Sequence, residues 1–156
     1  MDYHSYPYTP KLISCFNLIG IAAHCEAEYC VSRFFYETAL KVAKENDEKF
    51  YYASEYNNIA LTYIEEQNYT EAIKYITLAE DAMKYSDNEM GAYIYINKSI
   101  LHQKLNRLAE ALKAYAVGVK QYRANEVVPD DTIRCATTLY FRLGQEQEYE
   151  KINSFF

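Results

Sequence analysis

Small residues recur along this chain at a period of about forty positions. Three sets share internal spacings of 12, 4 and 3 positions: Gly20, Ser32, Tyr36 and Ala39; Ala60, Ala72, Ile76 and Ala79; Ser99, Ala111, Tyr115 and Gly118. Small residues at such intervals let two helices cross closely, while larger side chains fill the space beside the crossing. The spacing therefore predicts three packed helix pairs, over residues 10–46, 47–85 and 86–124.

The composition favours helices throughout the chain. Its 156 residues include four glycines and three prolines, which leaves few of the residues that β-turns require. Half of the residues are apolar, enough to form a core without metals or disulfides. Eighteen are tyrosines, whose large rings with a polar tip suit the edge of a core. We therefore expect an almost wholly helical chain with many half-buried tyrosines.

Capping residues mark several helix starts. Thr9 before a proline, the segment 86–89 (SDNE), Asn68 and Asn106 are expected to cap helices. The pattern predicts eight helices, at 10–25, 28–46, 48–66, 69–85, 88–104, 107–124, 130–143 and 146–155.

The end of the sequence is less regular than the three repeats. The segment 125–131 (NEVVPDD) is the clearest break, and the two helices after it predict a partial fourth pair over 129–156. Phe155 and Phe156 form an apolar pair without a polar cap. We therefore expect residues 1–156 to form one repeat domain that is a piece of a longer protein, or that docks on a partner through this end.

The second repeat resembles the tetratricopeptide repeat most closely. Ala60, Tyr63, Ala72 and Ala79 are in register with that family's signature, and Ile76 replaces an aromatic residue. The resemblance covers about residues 10–125. It implies an all-α fold, a right-handed superhelical stack of antiparallel helix pairs (a tetratricopeptide-like α-solenoid) with about seven or eight helices.

The other repeats depart from the signature. Ala23 and His102 occupy the position of Tyr63, Lys98 stands where an apolar residue is usual, and no proline closes a repeat. The period exceeds the usual length of about 34 residues. It resembles the longer-helix variants of kinesin light chains and of many bacterial regulatory proteins.

Charge and cysteine usage narrow the function classes. The net charge is −6 and no basic run occurs, so neither a nucleic-acid surface nor an anionic membrane surface is expected. Segment 91–125 carries six Lys or Arg and one acid, whereas 47–90 carries three and ten. This contrast indicates either steering of a charged partner or merely different solvated faces. Four cysteines without CxxC spacing indicate reduced thiols in a cytoplasm, and the apolar segment 12–23 is interpreted as a buried helix.

No pattern predicts catalysis, a cofactor or a metal. Phosphate loops, HExxH and nucleophile elbows are absent, and His24-Cys25 with Cys30 fits no common zinc spacing. His102 is expected to be a core or edge ring with a hydrogen-bond partner. Most of the carboxylates, including Glu65-Glu66 and Glu80-Asp81, are interpreted as solvated helix faces. An enzyme is therefore not expected.

Function is then expected to reside in a groove lined by the first helix of each pair. Each residue advances about 100° around a helix, and positions at about 40–160° from the small residue should face the groove. The predicted peptide-binding residues are Asn17, Ile21, Asn57, Asn58, Leu61, Tyr93, Ile96, Asn97, Ile100 and Lys104. The same window also contains His24, Ile64, Glu65 and Gln103.

Asparagines recur in this window at equivalent positions. Asn58 corresponds to Asn97, and Asn17 corresponds to Asn57. A carboxamide offers a donor and an acceptor, which suits the backbone of an extended peptide. The arrangement resembles the asparagine clasp of tetratricopeptide peptide sensors; the alternative is that these residues are merely exposed or bridge neighbouring helices. Ile21 and Tyr93 replace residues of the carboxylate clamp, so a chaperone C-terminus is not expected.

The leading hypothesis is a cytoplasmic, bacterial-type interaction module that binds a protein segment or peptide without catalysis. The alternative is a sensory or dimerisation region of a larger bacterial signalling protein, such as a diguanylate cyclase, kinase or transcription regulator, whose output domain lies outside this sequence. Tyrosine-rich surfaces also allow self-association into a homo-oligomer.

Overall fold

The computed structural model describes residues 8–122 and 130–153. These two ranges contain seven α-helices and no strand: α1 (Thr9–Cys25), α2 (Tyr29–Glu45), α3 (Tyr52–Glu65), α4 (Tyr69–Ala82), α5 (Asn88–Lys104), α6 (Leu108–Gln121) and α7 (Asp130–Asn153). Short 3₁₀ turns at Lys49–Tyr51 and Met83–Tyr85 precede α3 and follow α4. The predicted all-α fold is confirmed.

The helices pack as three consecutive hairpins. The closest packing joins α1 to α2, α3 to α4 and α5 to α6, and further contacts join α2 to α3 and α4 to α5. The first helices α3 and α5 also contact each other, and α7 packs on α5 and α6. Each hairpin therefore packs on the next, as the forty-residue period predicts.

The small residues of the repeat lie at the helix crossings. Ser32 donates a hydrogen bond from its hydroxyl to the carbonyl of Gly20 at 2.8 Å, and Ser99 does the same to Ala111 at 2.8 Å. A Cβ at position 20 would lie 2.5 Å from Cε1 of Tyr36, which only a glycine avoids. Close approach at these positions is confirmed.

The turn inside each hairpin recurs with the same period. Ala27, Gln67 and Asn106 have left-handed φ angles of 59°, 62° and 57°. The N–H of the residue after each of them donates to the carbonyl five positions earlier, at 2.9, 2.9 and 2.8 Å. This bond belongs to the Schellman motif, which reverses the chain within three residues. None of the three turns uses glycine.

Tyrosines fill the edges of the core. Ten of the fifteen tyrosines whose side chains the structure describes are half-buried, and Tyr36 is fully buried. Tyr56 and Tyr63 pack against buried clusters that join consecutive helix pairs, around Ile59 and Ala60. The expectation of many half-buried rings is confirmed.

The predicted break between residues 143 and 146 is wrong. A single helix, α7, runs from Asp130 to Asn153, so one helix follows the third pair where two were expected. Gly144 lies at the predicted break, but glycine within a helix costs only about 1 kcal/mol relative to alanine. A Cβ at Gly144 would meet no atom within 4 Å, so no close contact depends on this glycine. Phe155 and Phe156 lie outside the described residues.

The prediction of a buried helix over 12–23 is also wrong. Ile13 and Gly20 are buried, but Leu18 is 64% exposed, and Ile19 and Ile21 are exposed too. The cause is position in the stack, because α1 packs mainly on α2 and no earlier helix pair covers its other side among the described residues.

The capping residues were partly predicted. Asn68 caps α4 and Asp87 caps α5, each accepting from the backbone N–H three residues later, at 3.4 and 2.9 Å. Asn106 lies in the left-handed turn instead, and its side-chain oxygen accepts from Arg142 at 2.7 Å. Thr9 lies inside α1, whose start has no side-chain cap.

Candidate peptide-binding groove

A cavity of about 610 Å³ lies between the first helices α1, α3 and α5. We call it the groove cavity; its described lining residues are Ser14, Asn17, Leu18, Phe50, Tyr51, Ser54, Glu55, Asn57, Asn58, Leu61, Met90, Tyr93, Ile96, Asn97 and Thr132. Most of this lining is apolar or carries a neutral polar group. Among these residues Glu55 alone carries a carboxyl, and none is basic.

Seven of the ten predicted peptide-binding residues line the groove cavity: Asn17, Asn57, Asn58, Leu61, Tyr93, Ile96 and Asn97. They project from three helices that are far apart in sequence. The window of about 40–160° around each first helix therefore selected residues that the structure places around one cavity.

The other three predicted residues do not line the groove cavity. Ile21 is exposed near the end of α1, and Lys104 is exposed at the last residue of α5. Ile100 packs instead against the buried cluster around Leu101. Ile64 and Gln103, from the wider window, are buried. The prediction used only the angle around each helix and not the position along its axis. These residues do not line the groove cavity because they all lie toward the C-terminal ends of their helices.

Asn57 and Asn97 form a hydrogen-bonded pair, here called the amide junction. Nδ2 of Asn97 donates to Oδ1 of Asn57 at 2.9 Å, linking α5 to α3. The two residues are only 4% and 9% exposed. The remaining Nδ2 of Asn57 and Oδ1 of Asn97 have no hydrogen-bond partner among the described residues. The alternative of helix-bridging asparagines is thus realised for this pair, and it still leaves one donor and one acceptor.

Asn58 differs from its neighbour. It is half-buried and lines the groove cavity, and its side chain makes no hydrogen bond within the described part of the chain. Its carboxamide is therefore available to a ligand.

Asn17 and Glu55 link α1 to α3, here called the acidic junction. Nδ2 of Asn17 donates to Oε1 of Glu55 at 2.8 Å. Glu55 is 1% exposed, and its Oε2 is buried with no hydrogen-bond partner. Burial raises the pKa of the Glu55 carboxyl to about 8, against the smaller opposing effects of the neighbouring Asn17 and Ser54 side chains.

Glu55 was missed by the prediction that carboxylates lie on solvated faces. The repeat itself contains the signal, because Glu55 is equivalent to Ile94 of the third repeat and Cys15 of the first. Ile94 is fully buried beside Ala53 on the preceding first helix. A carboxyl at a position that faces the preceding repeat is buried for the same geometric reason.

Charged residues also join the repeats away from the groove cavity. Lys98, which departs from the family signature, pairs with Glu80 on α4 at 2.7 Å. Arg33 on α2 pairs with Glu66 and lies 4.5 Å from the ring centroid of Tyr63. Pairing with Glu80 therefore stabilises a lysine at a position where tetratricopeptide repeats usually have an apolar side chain.

His102 does not have the expected hydrogen-bond partner. The ring is half-buried, and its buried Nδ1 is unpartnered. Burial and, to a lesser extent, Lys98 lower the pKa of the His102 imidazole.

Within residues 8–122 and 130–153, no group of three or more His, Cys, Asp or Glu side chains is arranged to hold a metal ion. None of the helices in these ranges has the length and apolarity needed to cross a bilayer.

Comparisons with known proteins identify the fold. No family model and no curated protein sequence matches the chain. Among solved structures, the N-terminal domain of stress-induced protein-1 from C. elegans aligns with a TM-score of 0.61 and 19% identity, over 87% of this chain and 99% of that one. The Sgt2 TPR domain from Aspergillus fumigatus gives 0.65 and 19%, over 94% and 86%. The TPR2AB domain of yeast Sti1, in its pHSP90 complex, gives 0.71 and 15%, over 90% of this chain and 50% of that one.

Proposed function

We propose that this chain, which has the fold of tetratricopeptide-repeat domains, is a non-catalytic module that binds an extended segment of a partner protein in the groove cavity. The cavity itself carries the proposal, because its volume of about 610 Å³ is within the range of ligand sites. The four cysteines are free thiols, which supports placing the module in a cytoplasm.

The lining matches the chemistry of an extended peptide. Leu18, Leu61 and Ile96 offer apolar surface for alternate side chains of the segment. Asn58 offers a free carboxamide, and the amide junction adds one donor and one acceptor. A peptide backbone needs both kinds of group, so the same surface supplies affinity and orientation.

The lining also restricts the partner. The yeast Sti1 domain is seen with pHSP90. In the present chain no Lys or Arg occurs among the described residues of the groove cavity, so this lining offers no cationic partner for the carboxylate of a ligand.

A heptapeptide selected from a random phage-displayed library on the wild-type protein tests the proposal. Asn58→Ala removes one or two hydrogen bonds, so its affinity for that peptide should fall about five- to tenfold. Thr70→Ala is the matched control, because Thr70 is exposed on α4 and does not line the groove cavity. Failure of the library to yield any binder, or equal affinity of Asn58→Ala and wild type, would contradict the proposal.

A further inference from the structure

The acidic junction contains a hydrogen-bonding atom that the protein does not use. Oε1 of Glu55 accepts from Asn17, whereas Oε2 is buried and has no partner, and Glu55 lines the groove cavity. A buried carboxyl oxygen without a partner is costly in a folded protein. A ligand group that donates to Oε2 would remove this cost.

We propose that the groove cavity binds a lysine side chain of the partner segment, with its ammonium group paired to Oε2 of Glu55. The inference rests on the proposed function and adds the chemistry of one residue of the partner. A cationic ligand group also suits the charge of the cavity. Glu55 carries the one carboxyl in the described lining, and no basic residue of that lining competes for it.

Lysine fits this site better than arginine does. A guanidinium prefers to engage both oxygens of a carboxylate, and Asn17 already occupies Oε1. An ammonium is a compact charge that can pair with one oxygen and direct its other donors elsewhere. Oδ1 of Asn97 and the hydroxyl oxygen of Ser54 lie in the same lining and can accept from it. The aliphatic stem of lysine can lie along Leu18 or Met90.

Ion pairing at Glu55 is coupled to loss of its proton. Because burial raises the pKa of Glu55 to about 8, the carboxyl of the free protein is mostly protonated at neutral pH. Binding of an ammonium group favours the carboxylate, so the proton leaves to solvent as the pair forms. Affinity should therefore rise roughly tenfold per pH unit from about 6 to 8 and level off above that.

The surroundings of Glu55 support this assignment. The hydroxyl of Ser54, next to Glu55 on the same helix, donates to the carbonyl of Tyr51, so it does not donate to Oε2 of Glu55. The phenol of Tyr36 on α2 interacts electrostatically with Glu55, and the phenols of Tyr51 and Tyr93 line the same groove cavity. Burial raises the pKa of the Tyr36 phenol above its usual value near 10, so Tyr36 stays neutral in the range where the affinity is expected to change.

Library selection on the wild type and on Glu55→Gln at pH 8.5 tests the inference. Peptides selected by the wild type should contain lysine at one fixed position, and those selected by Glu55→Gln should not. The selected peptide is then synthesised with lysine, arginine or norleucine at that position. Norleucine should bind the wild type at least about tenfold more weakly, arginine about three- to tenfold more weakly, and Glu55→Gln should discriminate little.

The possible failures are distinguishable. If the library yields no binder, the proposed function and this inference both fall. If peptides bind but norleucine replaces lysine without loss, the inference alone is wrong. The norleucine comparison uses only wild-type protein, so it decides the matter even if Glu55→Gln does not fold. Calorimetry of the lysine peptide at pH 7, in phosphate and in Tris, should show nearly one proton released; no release would contradict an ion pair at Glu55.

Discussion

The acidic junction and the amide junction join the first helices at successive steps of the stack, and they solve the same problem differently. Between α3 and α5, two neutral carboxamides pair and still offer a donor and an acceptor. Between α1 and α3, an amide pairs with a carboxyl whose second oxygen is buried and unused. The comparison teaches that a repeat fixes where polar groups meet, while the residue type decides whether the junction responds to pH.

The largest expected effect is on stability as a function of pH. Burial raises the pKa of Glu55 from its ordinary value of 4.5 to about 8, so the folded state binds this proton more tightly than the unfolded state does. The stabilisation of the folded state by this proton is complete below pH 4.5 and is lost as pH rises to about 8. As pH rises from 5 to 8, the unfolding free energy of Glu55→Gln should therefore increase relative to that of wild type by on the order of 4 kcal/mol.

Urea unfolding of both proteins at each pH measures this difference. The subtraction cancels the other titrating groups, which both proteins share. A pH-independent difference in unfolding free energy would show that the Glu55 carboxyl titrates normally, and the contrast between the two junctions would then vanish.

A smaller effect is expected from double-mutant cycles at the two junctions. The cycle of Asn57→Ala with Asn97→Ala should give a coupling energy of about 1 kcal/mol, unchanged from pH 5 to pH 8.5. The cycle of Asn17→Ala with Glu55→Ala should rise from about 1 to about 2 kcal/mol over this range, because a charged acceptor strengthens the hydrogen bond. Equal pH profiles for the two cycles would contradict the account.

The smallest effect is expected at the pair of Lys98 and Glu80, which lies outside the groove cavity. Both side chains are partly exposed, so solvent screens their attraction. The cycle of Lys98→Met with Glu80→Gln should give less than about 1 kcal/mol and should decrease in 0.5 M salt. The amide junction serves as the control, since neutral carboxamides should not respond to salt.

The fold could be predicted because the information for it is repeated. Gly20, Ala60 and Ser99 mark the same crossing three times, so one atypical residue such as Lys98 did not obscure the pattern. The end of the chain has no second copy to compare, and there the prediction of two helices instead of α7 was wrong.

The groove cavity could be predicted only in part. Helical geometry gives the direction of a side chain, which found Asn17, Asn58 and Leu61, but it does not give the relative displacement of two helices. That displacement decides that Asn97 pairs with Asn57 and that Oε2 of Glu55 is buried. Comparison of Glu55 with Ile94 was the one sequence signal for its burial.

Side-chain amide signals in an NMR titration test the central claim most directly, since the claim is that a peptide binds between the first helices. A selected heptapeptide should shift the amide signals of Asn57, Asn58 and Asn97 most, together with backbone signals of α1, α3 and α5. Shifts confined to α2, α4 and α6, with these three asparagines unchanged at saturation, would contradict it.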